Sequence, residues 1–316
     1  MNSTNDLFPS RAGVKATLVP RRDPVIYPQS DSAADSIPLT PTQVKDYEKN
    51  GFLVLHELFS AAEVACFKRE LDRLRGDPAL KDSGEVINEP GSGEVRSVFR
   101  VHAISPTFEM LASDKRLVNI ARGLLGDEVY IHQSRVNFKP GLHGKEFYWH
   151  SDFETWHVED GMPTMRALSM SITMTENTPC NGPLMVMPGS HKLYATCTGT
   201  TPANHFKESL RKQEYGVPTD DQLTELANRF GVVNATCKPG SVIIFDCNIM
   251  HGSNSNITPN PRSNAFFVYN AVSNQIGAPF CDQLPRPEYI ATRQKIQPLN
   301  PRDVSVSDYC AAGIQA

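Results

Sequence analysis

The sequence has little of what marks membrane, secreted or nucleic-acid-binding proteins. Across its 316 residues no apolar run approaches the roughly 20 residues that a membrane-spanning helix needs. The N-terminus has no basic stretch followed by an apolar core, so a secretory signal is not expected. The net charge of −4 differs from the basic surface typical of nucleic-acid binding. We therefore expect a cytoplasmic protein that binds neither membrane nor nucleic acid.

Cysteine also falls short of a recognisable pattern. The seven cysteines are odd in number, scattered and without a CxxC pair. That spacing argues against a disulfide framework or a zinc knuckle, and reduced thiols are the simpler expectation. Apolar residues make up 40% of the chain and charged residues 21%, which is ordinary for a globular protein with a large core.

The chain divides by composition into an arm and one domain. Residues 1–38 are rich in Ser, Pro, Asp and Arg with little apolar periodicity, which predicts a loose, flexible N-terminal arm. We expect residues 39–316 to form one domain, with a helical part over 39–126 and a β-rich core over 127–272. The Pro-rich tail, residues 273–316, is expected to wrap the surface.

Periodicity predicts helices first and short strands afterwards. Helices are predicted from about Pro41, from a capping box at Ser60 to Gly76, over Pro106 to Leu125 and within 203–230. The polar, Gly-rich residues 79–95 are expected to form a mobile loop. From Glu128 the period changes to two, and strands are predicted near 128–138, 145–153, 165–175, 183–187, 231–237, 241–247 and 264–272. This indicates a mostly-β fold with flanking helices, a barrel or sandwich of the β-helix type.

Candidate metal ligands lie within Phe147-Tyr-Trp-His-Ser-Asp-Phe, where His150 and Asp152 are two residues apart. On a β-strand such residues project from the same face, so an imidazole and a carboxylate can bind one metal ion. A distant histidine, His251, would complete two histidines and one carboxylate on one face of the ion. That set suits a non-haem Fe(II) oxygenase, because it leaves positions open for substrate and O₂.

Two further features bear on this interpretation. His157-Val-Glu159 repeats the His-x-acid spacing, but it runs into a turn and is expected where a strand ends, outside the metal site. Arg262 follows His251 after a turn-rich stretch, which places it on the next antiparallel strand and able to point into the same cavity. A buried arginine needs an anionic partner, and its planar group suits a carboxylate. A salt bridge at the rim is the alternative.

The order His-x-Asp, His, Arg resembles that of the 2-oxoglutarate/Fe(II) dioxygenases, particularly the phytanoyl-CoA dioxygenase-like superfamily. Within it the closer similarity is to the ectoine hydroxylases, through Phe147-Tyr-Trp-His-Ser-Asp-Phe-Glu-Thr-Trp156, Pro188-Gly-Ser-His191 and His251-Gly-Ser-Asn-Ser-Asn-Ile-Thr-Pro259. The similarity covers roughly residues 130–272. It implies a double-stranded β-helix (jelly-roll, cupin-like) core, one Fe(II), O₂, and 2-oxoglutarate as co-substrate. It also implies that ectoine, a compatible solute of osmotically stressed bacteria, is hydroxylated to 5-hydroxyectoine with release of succinate and CO₂.

The resemblance also implies which cavity residues bind the two small molecules. The co-substrate 2-oxoglutarate would be bound by Lys139 and Arg262, and Asn137 and Ser169 are further polar candidates for this role. The substrate ectoine would be bound by Gln133 and Trp156, with Arg135 as a further polar candidate. Ectoine carries a delocalised amidinium, so the face of Trp156 offers cation–π attraction where water is excluded. Packing of Trp156 in the core is the alternative.

Two other functions stay open. The first is an oxygenase of the same fold that acts on a free amino acid or a CoA ester, and only an assay of ectoine turnover distinguishes it from an ectoine hydroxylase. A non-catalytic, cupin-like module that holds zinc structurally would need no pair of cavity cations such as Lys139 and Arg262. Related halogenases have a small residue at the position of the metal carboxylate, so Asp152 favours hydroxylation. The sequence leaves the oligomeric state open, with a homodimer as one option.

Overall fold

The computed structural model describes residues 6–28, 37–81, 83–89, 93–210 and 214–313. Within these ranges the strands are β1 (Leu18–Pro20), β2 (Phe52–Leu55), β3 (Val86–Asn88), β4 (Val95–Phe99), β5 (Val129–Lys139), β6 (Phe147–His150), β7 (Ala167–Thr173), β8 (Leu184–Val186), β9 (Leu193–Ala195), β10 (Val233–Asn234), β11 (Val242–Asp246), β12 (His251–Ser253) and β13 (Arg262–Ala271). The helices are α1 (Pro41–Asn50), α2 (Ala61–Gly76), α3 (Val101–Ile104), α4 (Pro106–Ala112), α5 (Lys115–Leu125), α6 (Asp152–Asp160), α7 (Phe206–Ser209), α8 (Asp220–Phe230) and α9 (Val306–Ala312). No helix in the described ranges combines the length and the apolar character needed to cross a bilayer.

Two antiparallel sheets form the centre of the molecule. The larger has the order β2-β11-β7-β13-β5-β4-β3 and the smaller the order β10-β8-β12-β6. Apolar side chains from both sheets, among them Val186, Ile243 and Phe266, pack together between them. This arrangement confirms the expected mostly-β, jelly-roll core with flanking helices.

Helices cover the outer face of the larger sheet. Phe67 of α2 and Leu117 of α5 belong to the same buried cluster as Val136 of β5 and Phe267 of β13. The predicted capping box at the start of α2 is confirmed: Ser60 Oγ accepts a hydrogen bond from the Glu63 backbone N–H, and the Glu63 carboxylate accepts one from the Ser60 backbone. The central strand β13 is buried along its whole length, since β5 and β7 flank it.

The expectation of a loose N-terminal arm is wrong for residues 6–28. The ring of Phe8 is buried edge-on against Phe153 and Tyr194, and Arg11 is buried as well. β1 pairs with β9. The segment is extended and buries only single side chains against the rest of the protein. Its apolar residues therefore do not recur at a regular spacing, and the sequence gives no sign of this packing. Residues 1–5 and 29–36 lie outside the described residues.

Two other predicted elements differ from the structure. The predicted strand 145–153 ends at His150, and helix α6 begins at Asp152. Every residue of α6 is buried, so the polar and apolar alternation that marks a surface helix is missing. The expected mobile loop, residues 79–95, contains β3 and the start of β4 in its described part.

The expectation of reduced thiols is wrong for two cysteines. Cys66 of α2 and Cys310 of α9 form a disulfide with a Cα–Cα distance of 5.1 Å. They are 244 residues apart, so no local spacing signals the pair. The other five cysteines are free. The disulfide joins the C-terminal helix to the helical layer that covers the larger sheet.

Candidate metal centre and cavity

Three elements bring the predicted metal ligands together. Strand pairing sets His251, the first residue of β12, opposite His150, the last residue of β6, and Asp152 begins α6. The Nε2 atom of His150 lies 3.6 Å from Asp152 Oδ1, and that of His251 lies 3.9 Å from Asp152 Oδ2. These are the one set of three or more potential metal ligands that the described residues assemble. Their spacing suits a single metal ion.

Hydrogen bonds orient both imidazoles toward the shared point. The Nδ1 atom of His150 lies 2.8 Å from the Tyr148 carbonyl, and that of His251 lies 3.0 Å from the Ile249 carbonyl. The hydrogen-bond pattern therefore assigns the proton to Nδ1 and leaves the Nε2 lone pair free for a metal. Burial and the neighbouring His150 lower the pKa of His251 to about 4, so this ring is neutral.

The Asp152 carboxylate is ionised. Burial alone would raise its pKa, but His251 and His150 outweigh that effect and hold the pKa well below its usual range. The Ser169 hydroxyl donates a hydrogen bond to Asp152 Oδ2 at 3.4 Å. Two neutral imidazoles and one carboxylate are the donors that a divalent iron site requires.

The expectation that His150 and Asp152 share a strand is wrong. The chain turns at Ser151, whose hydroxyl donates to the Asn248 side chain at 3.1 Å, and the helix starts immediately afterwards. Within a helix, residues three and four apart lie on the same face. Thr155 and Trp156 consequently line the same cavity as Asp152.

The other side of α6 is held by buried ion pairs. Arg11 lies 2.9 Å from Glu154 and 2.7 Å from Glu159. His157 contacts Asp6 at 2.9 Å. His157 and Glu159 therefore lie outside the group of potential metal ligands, and they lie within a helix and not at the predicted strand end.

One end of the cavity carries two buried cations. Strand pairing places Lys139 opposite Arg262. Lys139 Nζ donates to Ser253 Oγ at 2.8 Å, and no carboxylate in the described residues forms an ion pair with either cation. The buried Arg262 Nε has no hydrogen-bond partner among the described residues. Burial and the charge of Arg262 lower the pKa of Lys139 to about 6, so this end of the cavity favours an anion.

The other predicted substrate contacts also face the cavity. Along β5 the alternating side chains of Gln133, Arg135, Asn137 and Lys139 line it. Gln133 Nε2 donates to the Ile290 carbonyl at 2.9 Å, and Arg135 donates to Gln133 Oε1. The guanidinium of Arg135 lies 4.9 Å from the Phe266 ring centroid. Trp156 is only 3% exposed and presents its indole to this space.

Some site residues differ from the sequence interpretation. Ser169 does not line the cavity but contacts Asp152 from behind, which favours orientation of the metal carboxylate over the expected contact with 2-oxoglutarate. Sequence reasoning missed lining residues on several elements: Glu89, Arg96, Thr155, Phe245, Ser253, Phe266 and Arg286. Of these, only Ser253 could have been found from a local pattern. It lies two residues after His251 on a short strand, so both side chains project from the same face. Arg286 lies in the Pro-rich tail, which carries no periodic pattern.

A jelly-roll core with two histidines and one carboxylate at the cavity defines the class of mononuclear non-haem iron oxygenases. The family model for phytanoyl-CoA dioxygenase (PhyH) matches residues 47–264. The chain is 56% identical over 297 residues to an ectoine dioxygenase of Stutzerimonas stutzeri, covering 94% of this chain and 97% of the relative. It is 57% identical over 288 residues to the ectoine dioxygenase of Sphingopyxis alaskensis, covering 91% and 93%.

Solved structures agree with these relatives. The crystal structure of EctD from S. alaskensis with 2-oxoglutarate and 5-hydroxyectoine matches with a TM-score of 0.85 and 51% identity, covering 95% of this chain and 99% of that one. The EctD structure with bound Fe matches with a TM-score of 0.84 and 50% identity over the same shares. The chain therefore belongs to the phytanoyl-CoA dioxygenase family and, within it, to the ectoine dioxygenases.

Proposed function

We propose that this protein is an oxidoreductase that hydroxylates ectoine to 5-hydroxyectoine, using Fe(II), O₂ and 2-oxoglutarate and releasing succinate and CO₂. The observation that carries the proposal is the layout of one cavity. The metal-ligand group lies in it together with a cationic wall and an aromatic, amide-bearing wall. The ectoine dioxygenases that are 56% and 57% identical to this chain support the same activity.

His150, Asp152 and His251 would hold the iron. Bound there, Fe(II) supplies the centre at which O₂ and the 2-oxo acid react. The chain keeps both imidazoles in the form that binds a metal. The Tyr148 carbonyl accepts a hydrogen bond from His150 Nδ1, and the Ile249 carbonyl accepts one from His251 Nδ1, which leaves both Nε2 atoms unprotonated. Three protein ligands leave the remaining coordination positions for small molecules.

Lys139 and Arg262 would bind a carboxylate of 2-oxoglutarate. Arg262 has a buried Nε without a hydrogen-bond partner in the described part of the chain, and its planar group can donate two parallel hydrogen bonds to a carboxylate. Ser253, which already accepts from Lys139 Nζ, offers a hydroxyl beside it. Asn137 lines the cavity two residues earlier on the same face of β5 and is a further polar contact.

Trp156, Gln133 and Arg135 would bind ectoine. The indole face suits the amidinium, and burial of the site strengthens this attraction because water is excluded. Arg135 and Arg286 both line the cavity and offer positive charge to the ectoine carboxylate. The ion pair of Arg286 with Asp160, at 2.8 Å, fixes its guanidinium. Rings such as Phe266 and Phe245 keep the cavity walls apolar between these polar groups.

The two rival functions are less well supported. A module that holds zinc structurally gives no reason for Lys139 and Arg262, two buried cations that no carboxylate of the described residues pairs with. An oxygenase for another substrate is distinguished from an ectoine hydroxylase by an assay of ectoine turnover. Purified protein with Fe(II), ascorbate and 2-oxoglutarate should form succinate and 5-hydroxyectoine only when ectoine is added, and Asp152→Ala should form neither. Succinate formation that depends on a free amino acid or a CoA ester instead of ectoine would overturn the substrate assignment.

A cytoplasmic location and a homodimer remain part of this proposal. The location follows from the expected use of a cellular solute, and cell fractionation measures it. Light scattering of the purified protein at several concentrations measures the oligomeric state. A monomer at all concentrations would remove the homodimer from the proposal without affecting the chemistry.

A further inference from the structure

A buried ion pair on the β3–β4 hairpin reaches the cationic end of the cavity. Glu89 and Arg96 are 4% and 8% exposed, and Arg96 Nη1 donates to Glu89 Oε2 at 2.9 Å. Both side chains line the same cavity as Lys139 and Arg262. The pair is therefore part of the wall around the expected position of 2-oxoglutarate, although neither residue belongs to the metal group.

A β-bulge in β4 aims Arg96 into this wall. Ile87 pairs with Ser97, whereas Asn88 pairs with Val95, so Arg96 is the extra residue of the bulge. The bulge places Arg96 and Ser97 both on the cavity side, while the side chains of Val95 and Val98 pack against the helical layer. In a regular strand Arg96 and Ser97 would point to opposite faces.

The surroundings place Arg96 close to the co-substrate groups. Ser97 donates to the Asn137 side chain at 2.8 Å, and Asn137 is two residues from Lys139 on the same face of β5. The Arg96 guanidinium lies 5.6 Å from the ring centroid of Phe147, which is on β6 with His150. Arg96 thus lies between the strand of Lys139 and the strand of a metal ligand.

The charges at this end follow a simple count. When Lys139 is protonated, Lys139, Arg262 and Arg96 are three cations, and Glu89 is a buried carboxylate beside them. With Glu89 bound to Arg96, two positive charges remain, which equals the charge of the 2-oxoglutarate dianion. The same groups act on the pKa of Lys139: burial, Arg262 and Arg96 lower it, whereas Glu89 and the exposed Glu146 raise it.

We propose that Arg96 is a positioning residue that binds Glu89 and so keeps this carboxylate from pairing with Lys139. The inference rests on the proposed function, in which Lys139 binds 2-oxoglutarate. Without the guanidinium, the buried Glu89 carboxylate would take Lys139 as its partner, because a buried charge needs an opposite charge nearby. Glu89 would then compete with the co-substrate for the same ammonium group.

Charge substitution separates this role from simple packing. Arg96→Gln should raise the KM for 2-oxoglutarate by roughly tenfold or more, since one partner of a buried charge pair is lost. The KM for ectoine should change by less than about threefold. The double variant Glu89→Gln, Arg96→Gln should restore the KM for 2-oxoglutarate to within about threefold of wild type, because no free carboxylate remains. Arg96→Lys, which keeps the charge, should also retain a low KM.

The control is an ion pair outside the cavity. Arg116 contacts Glu63 and Asp114, each at 2.7 Å, on the helical layer. Arg116→Gln should lower Tm without changing the KM for 2-oxoglutarate. Equal losses in Arg96→Gln and in the double variant, or an unchanged KM in Arg96→Gln, would overturn the inference. Absence of ectoine-dependent succinate in the wild-type protein would instead overturn the proposed function.

Discussion

Lys139 should couple the binding of 2-oxoglutarate to the uptake of a proton. In the free protein, burial and Arg262 lower its pKa from 10.5 to about 6. Binding of a carboxylate favours the charged ammonium and raises this pKa again. The charged fraction of Lys139 in the free protein falls from about one half at pH 6 to about 3% at pH 7.5, so the KM for 2-oxoglutarate should rise about 15-fold over this range.

Two measurements check this coupling. Steady-state kinetics from about pH 6 to 8 give the slope of the KM, and calorimetry in buffers of different ionisation enthalpy gives the number of protons taken up. Lys139→Arg keeps its charge throughout this range and should flatten the slope, whereas Lys139→Met should raise the KM at every pH. A wild-type KM that is constant over this range, with no proton uptake on binding, would refute the reasoning.

Three further substitutions test separate parts of the structure. Asp152→Ala should lower the affinity for Fe(II) by roughly tenfold or more with the circular dichroism spectrum unchanged, and full iron retention after dialysis would contradict the ligand set. Trp156→Leu should raise the KM for ectoine about 2- to 30-fold while 2-oxoglutarate still binds; no change would make Trp156 a packing residue only. Arg11→Met leaves Glu154 buried without its cation and Glu159 with His205 as its remaining partner, so denaturation should show a loss of roughly 3–5 kcal/mol in the free energy of unfolding; a loss below about 1 kcal/mol would mean that the N-terminal segment adds little.

The metal ligands were predictable because their signal is local. His150 and Asp152 lie in one short stretch, and His251 follows a Gly turn and a strand whose apolar residues are plain in the sequence. Their backbone geometry was not predictable in the same way. A spacing of two fits a strand as well as a turn before a helix, and α6 is buried on all sides, so no period distinguishes the two.

The residues that sequence reasoning missed depend on tertiary contacts. Arg96 reaches the cavity only because one extra residue in β4 changes its direction, and a bulge of this kind has no sequence period. Arg286 comes from an irregular segment that is positioned by Asp160. Cys66 and Cys310 meet because the last helix packs on α2. Each contact joins segments that are distant in the sequence.

Turnover of ectoine under ¹⁸O₂ is the most direct test of the proposed function. We expect equimolar succinate and 5-hydroxyectoine, with one labelled oxygen atom in the new hydroxyl group and the other in succinate. Removal of Fe(II) with a chelator should stop both products together. Consumption of 2-oxoglutarate with ectoine recovered unchanged, or a product hydroxyl without label in the absence of exchange with water, would contradict the assignment of this protein as an ectoine-hydroxylating dioxygenase.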